Sequence, residues 1–217
     1  METIMRTPQQ LKELTLGGSS SAMLGGAAAL ILSILGLAGV APHYLLSIAS
    51  IALGAGVLFE GGFIAAEYGR ILNLGGAETS ARVELAGGLS GEALAGIAAI
   101  VLGILALLGV VPGVLMSIAA IVLGAGVTMG SGVIARLNAL KIETSGNHET
   151  AQRVAKDAMS AAAGLQALVG LSAIVLGILA LIGVAAQTLD LVAMLALGAS
   201  ALVSGGSIVT RVLAFFG

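Results

Sequence analysis

Residues 96–137 read GIAAIVLGILALLGVVPGVLMSIAAIVLGAGVTMGSGVIARL, and this stretch decides the fold. It is two apolar runs joined by a short turn at Gly109–Gly113, with no charge before Arg136. An α-helix rises about 1.5 Å per residue, so about 20 apolar residues cross a hydrocarbon layer about 30 Å thick. Each run is long enough, and together they predict a transmembrane helical hairpin.

Outward from this hairpin the chain repeats. Subtracting 70 carries Gly96, Pro112, Ser117, Gly124, Gly126 and Gly132 onto Gly26, Pro42, Ser47, Gly54, Gly56 and Gly62. Adding 74 carries Gly96, Gly103, Gly109, Gly124 and Gly132 onto Gly170, Gly177, Gly183, Gly198 and Gly206. Constant offsets through both arms and the turn point to one supersecondary unit stacked on itself rather than to a shared low-complexity composition. The expected fold is all-α integral membrane: six transmembrane helices as three tandem helical-hairpin repeats, at 19–72, 86–140 and 161–217. The spans are placed near 19–40, 44–72, 86–111, 114–140, 161–185 and 188–216. Residues 1–18 form a cytoplasmic N-terminal segment, in which a short helix could open at Pro8, and 73–85 and 141–160 form cytoplasmic loops. Asn147 is placed as an N-cap ahead of a cytosolic extension of the fifth helix. Gly39 and Ala41 resemble a signal-peptide cleavage site. Residues 1–41 nevertheless match the first arm of the other hairpins and are read as retained.

Composition agrees with a lipid environment. Apolar residues make up 58% of the chain and charged residues 9%, against about 25% charged in soluble domains. The net charge of −2 says nothing about nucleic acid, and no basic stripe suggests such a partner, so none is expected. With no cysteine there is no disulfide, thiolate metal site or thiol nucleophile. All nine basic residues (Arg6, Lys12, Arg70, Arg82, Arg136, Lys141, Arg153, Lys156 and Arg211) fall in segments on one side of the predicted spans, and none in a tight turn. Because Lys and Arg mark the cytoplasmic face, both termini are expected there and the tight turns outside.

Small residues recur in register. The odd helices carry Gly26/Ser33, Gly96/Gly103 and Gly170/Gly177, seven apart. The even helices carry Gly54 and Gly56, Gly124 and Gly126, and Gly198 and Ser200, with Gly130 and Ser204 four residues further on in the last two. Small residues let helix backbones approach closely in lipid, so these positions are read as packing seams. Since seams occur in all three hairpins, one of them, with Gly126 and Gly130 the first choice, is expected to face a second copy in a homo-oligomer.

The pattern Gly-Ile, then Gly-Ile-Leu-Ala-Leu, a proline, a second apolar run and Gly-Val-Ile-Ala-Arg-Leu at 132–137 resembles the HdeD-type acid-resistance membrane proteins. The resemblance spans roughly residues 20–215. It implies a multi-pass protein of a bacterial or archaeal cytoplasmic (inner) membrane, linked to acid or general stress and without an established catalytic mechanism. The chain departs from that pattern in lacking Trp and in having Ala186 where a third proline would stand.

No GxxxxGK[ST] loop and no HExxH pair is present, so no catalytic residue, metal site or cofactor is assigned, and the chain is read as a non-enzyme. Glu60, Glu92 and His43 are the candidate proton-responsive residues. Glu60 stands where the other copies have Gly130 and Ser204, and Glu92 where they have Ala22 and Gln166. An acid inside a bilayer is costly and so a functional candidate. Near the cytoplasmic edge of the core the two glutamates read first as interfacial acids reaching headgroup water, and the sharper alternative is that they meet between the second and third spans and share a proton. His43 belongs to an outer turn, and Asp190 is read as a solvated first-turn acid favoured by the helix dipole. Two further readings stay open: a channel or transporter for protons or a small neutral solute, and a structural subunit binding partner membrane proteins. The lipid bilayer is the partner common to all of them.

Overall fold

The structure is a computed structural model that describes the backbone of residues 8–75, 79–142 and 149–216, and the side chains of 21–61, 91–131 and 164–204. It contains α1 (Pro8–Leu37), α2 (Pro42–Gly75), α3 (Thr79–Leu107), α4 (Pro112–Ile142), α5 (Glu149–Leu181) and α6 (Ala186–Phe216). Four of these hold stretches long and apolar enough to cross a membrane: Pro42–Gly61, Pro112–Ser131, Gly164–Leu181 and Ala186–Ser204. Helices α1 and α3 contribute the shorter apolar stretches Ser21–Leu37 and Gly91–Leu107. Pro8 opens α1 as expected, but the helix then runs unbroken into the apolar stretch instead of stopping at Leu16. Asn147 and the side chains of the nine basic residues lie outside the described residues.

Three tight turns have one backbone design. In the first, Gly39 N–H donates to the Gly36 carbonyl and Val40 N–H to the Leu35 carbonyl, the paired bonds of a Schellman helix end. Gly109 and Val110 make the same two bonds, as do Gly183 and Val184. The motif needs a left-handed residue, and Gly39, Gly109 and Gly183 have φ of +88°, +84° and +91°. Two residues later Ala41, Val111 and Ala185 also take positive φ, at 38°, 35° and 40°. For the β-branched Val111 this is a strained conformation. Pro42 and Pro112 then start α2 and α4 in the first helical position, where a missing N–H costs nothing.

The helices form a ring in chain order, closed by α1 against α6, with α2, α4 and α6 each also touching the other two. The even helices are therefore the inner set. Their inward stripes repeat every seven residues: Leu46, Leu53 and Glu60 on α2, Met116, Leu123 and Gly130 on α4, Asp190 and Leu197 on α6 are buried, and Ser204, next on the α6 stripe, is half-buried. Ala49, Ala119 and Ala193 fill the turns between, each fully buried.

Every seam glycine is used inside the chain. A Cβ placed on Gly96 would stand 2.6 Å from the Gly54 carbonyl oxygen, and one on Gly54 would stand 2.7 Å from the Gly96 carbonyl oxygen. The crossings Gly124–Gly170 and Gly26–Gly198 are equally close, with reciprocal separations of 2.5 and 2.6 Å and of 2.9 and 2.7 Å. Gly103 and Gly177 rest on the carbonyls of Ser47 and Ser117, and Gly56 lies against Ser21, Ala22 and Gly25 of α1. The expectation that the α4 seam faces another copy is corrected. Gly126 packs on Ala95 and Gly130 on Glu92, both in α3.

Hairpin packing loosens along the chain for a visible reason. The α1/α2 crossing is Gly25 on Gly56, the α3/α4 crossing is Ala95 on Gly126, and the corresponding α5/α6 residues are Val169 and Ser200. Larger side chains hold α5 further from α6, and Ser172 on α5 is exposed where Ala28 and Ala98 are half-buried. Outside the ring the surface is apolar: Leu24, Leu94 and Leu168, matched by the same offsets, are 66%, 63% and 63% exposed. Small residues inside and large aliphatic ones outside suit helices that pack in lipid, where close backbone approach replaces hydrophobic burial as the drive.

Candidate functional site

Among the described residues there are five titratable side chains, His43, Tyr44, Glu60, Glu92 and Asp190, and no Lys or Arg. The three acids are buried, at 8%, 4% and 1% exposure. Burying a charge without a partner is expensive, so their placement is the main chemical feature of the bundle.

Glu60 and Glu92 occupy the end of the bundle away from the tight turns. Glu60 is the last residue of the α2 stripe, and its Oε1 accepts a hydrogen bond of 3.3 Å from the Ser204 hydroxyl on α6. Glu92 reaches from α3 onto α4, where a Cβ on Gly130 would stand 2.5 Å from its Oε2. The side chain Gly130 lacks is the space the Glu92 carboxyl fills. The matched pairs in the other hairpins follow the same volume rule: Ala22 with Glu60, Glu92 with Gly130, Gln166 with Ser204. Glu60 is directed to Ser204 on α6 and Glu92 to Gly130 on α4, so each is held by an inner helix rather than by the α2/α3 seam. Ser131, nearly fully buried beside Gly130, donates to the Thr128 carbonyl at 2.8 Å and stays within its own helix.

His43 does not belong to this site. It is exposed at the start of α2, and positions 43 and 60 are about 25 Å apart along the helix. Of the three candidate proton-responsive residues the structure places two at one end of the bundle and the third at the opposite end.

Asp190 is the residue the sequence reading undervalued. Far from being solvated, it is buried on the α6 stripe, in the fifth residue of the helix, with Ser117 of α4 beside it. The repeat arithmetic carried the signal: 190 − 74 is Met116 and 116 − 70 is Leu46, both nearly fully buried apolar residues. An acid at a position where the other copies place Met and Leu is a core acid.

No family model, curated protein or solved structure matches the chain. The site therefore has to be read from its own geometry. Two buried acid centres sit at opposite ends of the inner stripes, 14 residues or about 21 Å apart along a helix. Between them Leu53, Leu123 and Leu197 are each at most 1% exposed. The ends are polar and the middle is packed apolar. No group of three or more His, Cys, Asp or Glu side chains suited to a metal ion occurs among the described residues.

Proposed function

We propose that the chain is a non-enzymatic, six-span protein of a bacterial or archaeal inner membrane, built as three tandem hairpins with both termini cytoplasmic, and that its Glu60–Glu92 site responds to protons from the cytoplasmic side. The observation that carries this reading is two buried carboxyls at the same end of the bundle, with no basic side chain among the described residues. Like charges that share a buried site cannot both ionise cheaply, so the pair is suited to hold a proton. Ser204 supplies a hydroxyl and Gly130 the room, and neither supplies charge.

An acid- or stress-linked role of the HdeD kind fits a protein whose most costly buried groups are acids. The apolar layer at Leu53, Leu123 and Leu197 favours a responder over an open channel. The transporter reading draws support from one observation, the second acid at Asp190 on the opposite end of the same stripes. The apolar outer face leaves room for a homo-oligomer or a partner membrane protein, but the glycine seams no longer argue for either.

The test is proton uptake by purified protein in lipid nanodiscs after an acid step. Wild type should take up protons that Glu60→Gln and Glu92→Gln each remove, with folding and assembly retained. Uptake unchanged in both variants across the pH range refutes the reading. Net flux through sealed vesicles would replace it with transport.

A further inference from the structure

Asp190 carries an observation of its own. Its Oδ2 is 2.9 Å from Ser117 Oγ, and that same Oγ is 3.0 Å from the Gly113 carbonyl oxygen. A serine hydroxyl has one proton to donate. Ser47, the counterpart of Ser117 in the first hairpin, directs its proton to the His43 carbonyl at 2.9 Å. That bond within the helix is the arrangement the two serines share. With the Ser117 proton on Gly113, the 2.9 Å approach of Asp190 is a hydrogen bond only if Asp190 supplies the proton.

The surroundings agree. The described parts of α1, α4 and α5, which pack on α6 or its neighbours, have no titratable side chain at this end. Helix α2 offers only His43 and Tyr44, both exposed, while Glu60 and Glu92 lie about 21 Å away. Asp190 Oδ1 is buried without a partner, and so is Nε2 of Gln187, three residues earlier on the same helix face.

We propose that Asp190 is a proton-binding site at the outer end of the bundle, holding its proton toward Ser117 Oγ. The bound proton makes a neutral acid of what would otherwise be a lone charge among apolar helices. Release reverses the bond: Ser117 turns its proton from Gly113 to the carboxylate, so α4 and α6 stay linked in both states. The ligand is a proton and not a metal ion, because Asp190 and Ser117 are too few donors for a cation cage. The inference stands on other residues than the Glu60–Glu92 reading and survives its failure.

The full chain in lipid, with aspartate carboxyls labelled by carbon-13, tests it by infrared spectroscopy. The sequence has two aspartates, Asp157 and Asp190, so the label reports on few groups and needs no variant to fold. At neutral pH the wild type should show a label-sensitive carboxylic-acid band that gives way to a carboxylate band at high pH. Asp190→Asn should abolish it, Ser117→Ala should shift it to higher frequency, and Glu92→Gln should leave it in place. A label-sensitive signal that is carboxylate at every pH from about 4 to about 9 overturns the proposal. So does an acid band that persists in Asp190→Asn, or one displaced by added sodium at constant pH.

Discussion

Adding one methyl group at Gly96 should cost this bundle more than adding one at Gly164. A Cβ on Gly96 would stand 2.6 Å from the Gly54 carbonyl oxygen, 2.7 Å from Leu58 N and 3.0 Å from Leu58 Cα. All three are backbone atoms, so no side chain can swing aside. Ordinary contact begins near 3.4 Å, and 3.4 − 2.6 leaves 0.8 Å by which α2 and α3 must part. A radial gap of about 0.5–1 Å forfeits roughly a quarter to a half of the dispersion energy along the contact. Overpacking of this kind costs about 1–3 kcal/mol, while replacing Gly by Ala inside a helix returns up to about 1 kcal/mol. With the full helix-propensity return, the expected net loss for Gly96→Ala is thus about 0–2 kcal/mol. Gly26→Ala and Gly170→Ala should lose similar amounts, because their Cβ atoms would also meet backbone across a helix crossing. Gly164 has nothing within 4 Å of an added Cβ, and Gly164→Ala should be neutral or slightly stabilising. Reversible unfolding in mixed micelles, followed by circular dichroism, ranks the four variants. If Gly96→Ala proves as stable as Gly164→Ala, the reasoning that these glycines set helix separation is refuted.

Two further outcomes follow from the same geometry. Val111→Gly should raise stability by up to about 1 kcal/mol, since a β-branched residue at φ 35° is strained and glycine is not; a loss in the same unfolding assay would mean that the Val111 side chain contributes more than its backbone costs. Gly126→Leu should destabilise the single chain through its collision with Ala95, so its unfolding midpoint should fall by the same amount at every protein-to-lipid ratio. A loss confined to dilute samples would return that seam to an oligomer contact.

The helices and turns were legible because each depends on short-range signals. Runs of about 20 apolar residues, glycines where φ must be positive and prolines in the first helical position all act within one turn of chain. What the sequence could not assign was the partner of each seam. Gly126 and Gly130 look the same whether they face α3 or a second copy, and only the closing of the ring by α1 on α6 consumes all the seams internally. Asp190 was misread for a related reason. Its place in the first turns of a helix suggested solvent, while the stripe it shares with Leu197 and Ser204 pointed inward. Register along the stripe was the stronger constraint, because a helix position seven residues from a buried one lies on the same face.

The offsets that relate the three hairpins also separate structural positions from chemical ones. Gly26, Gly96 and Gly170 agree, as do Gly54, Gly124 and Gly198, and all six lie at crossings where a carbonyl of the neighbouring helix leaves no room for a side chain. The differences that introduce a buried acid on the inner stripes fall at their ends, where Leu46 and Met116 are answered by Asp190, and Gly130 and Ser204 by Glu60. At the Glu60 end the sequence differences compensate in volume, since each matched pair joins a long polar residue to a smaller one, and in the second hairpin Glu92 fills the space beside Gly130. The shared backbone can therefore accept a buried acid in one copy without reshaping the crossing in the others. Three identical hairpins would place three like charges, or none, at each end. Because the copies differ, the buried acids among the described residues differ in number at the two ends: two at the Glu60 end and one at the Asp190 end. The pair can hold one proton by mutual repulsion, whereas the single acid depends on a hydroxyl partner and on desolvation. The two ends should thus titrate as independent sites, and the isotope that distinguishes Asp from Glu separates them in one spectrum.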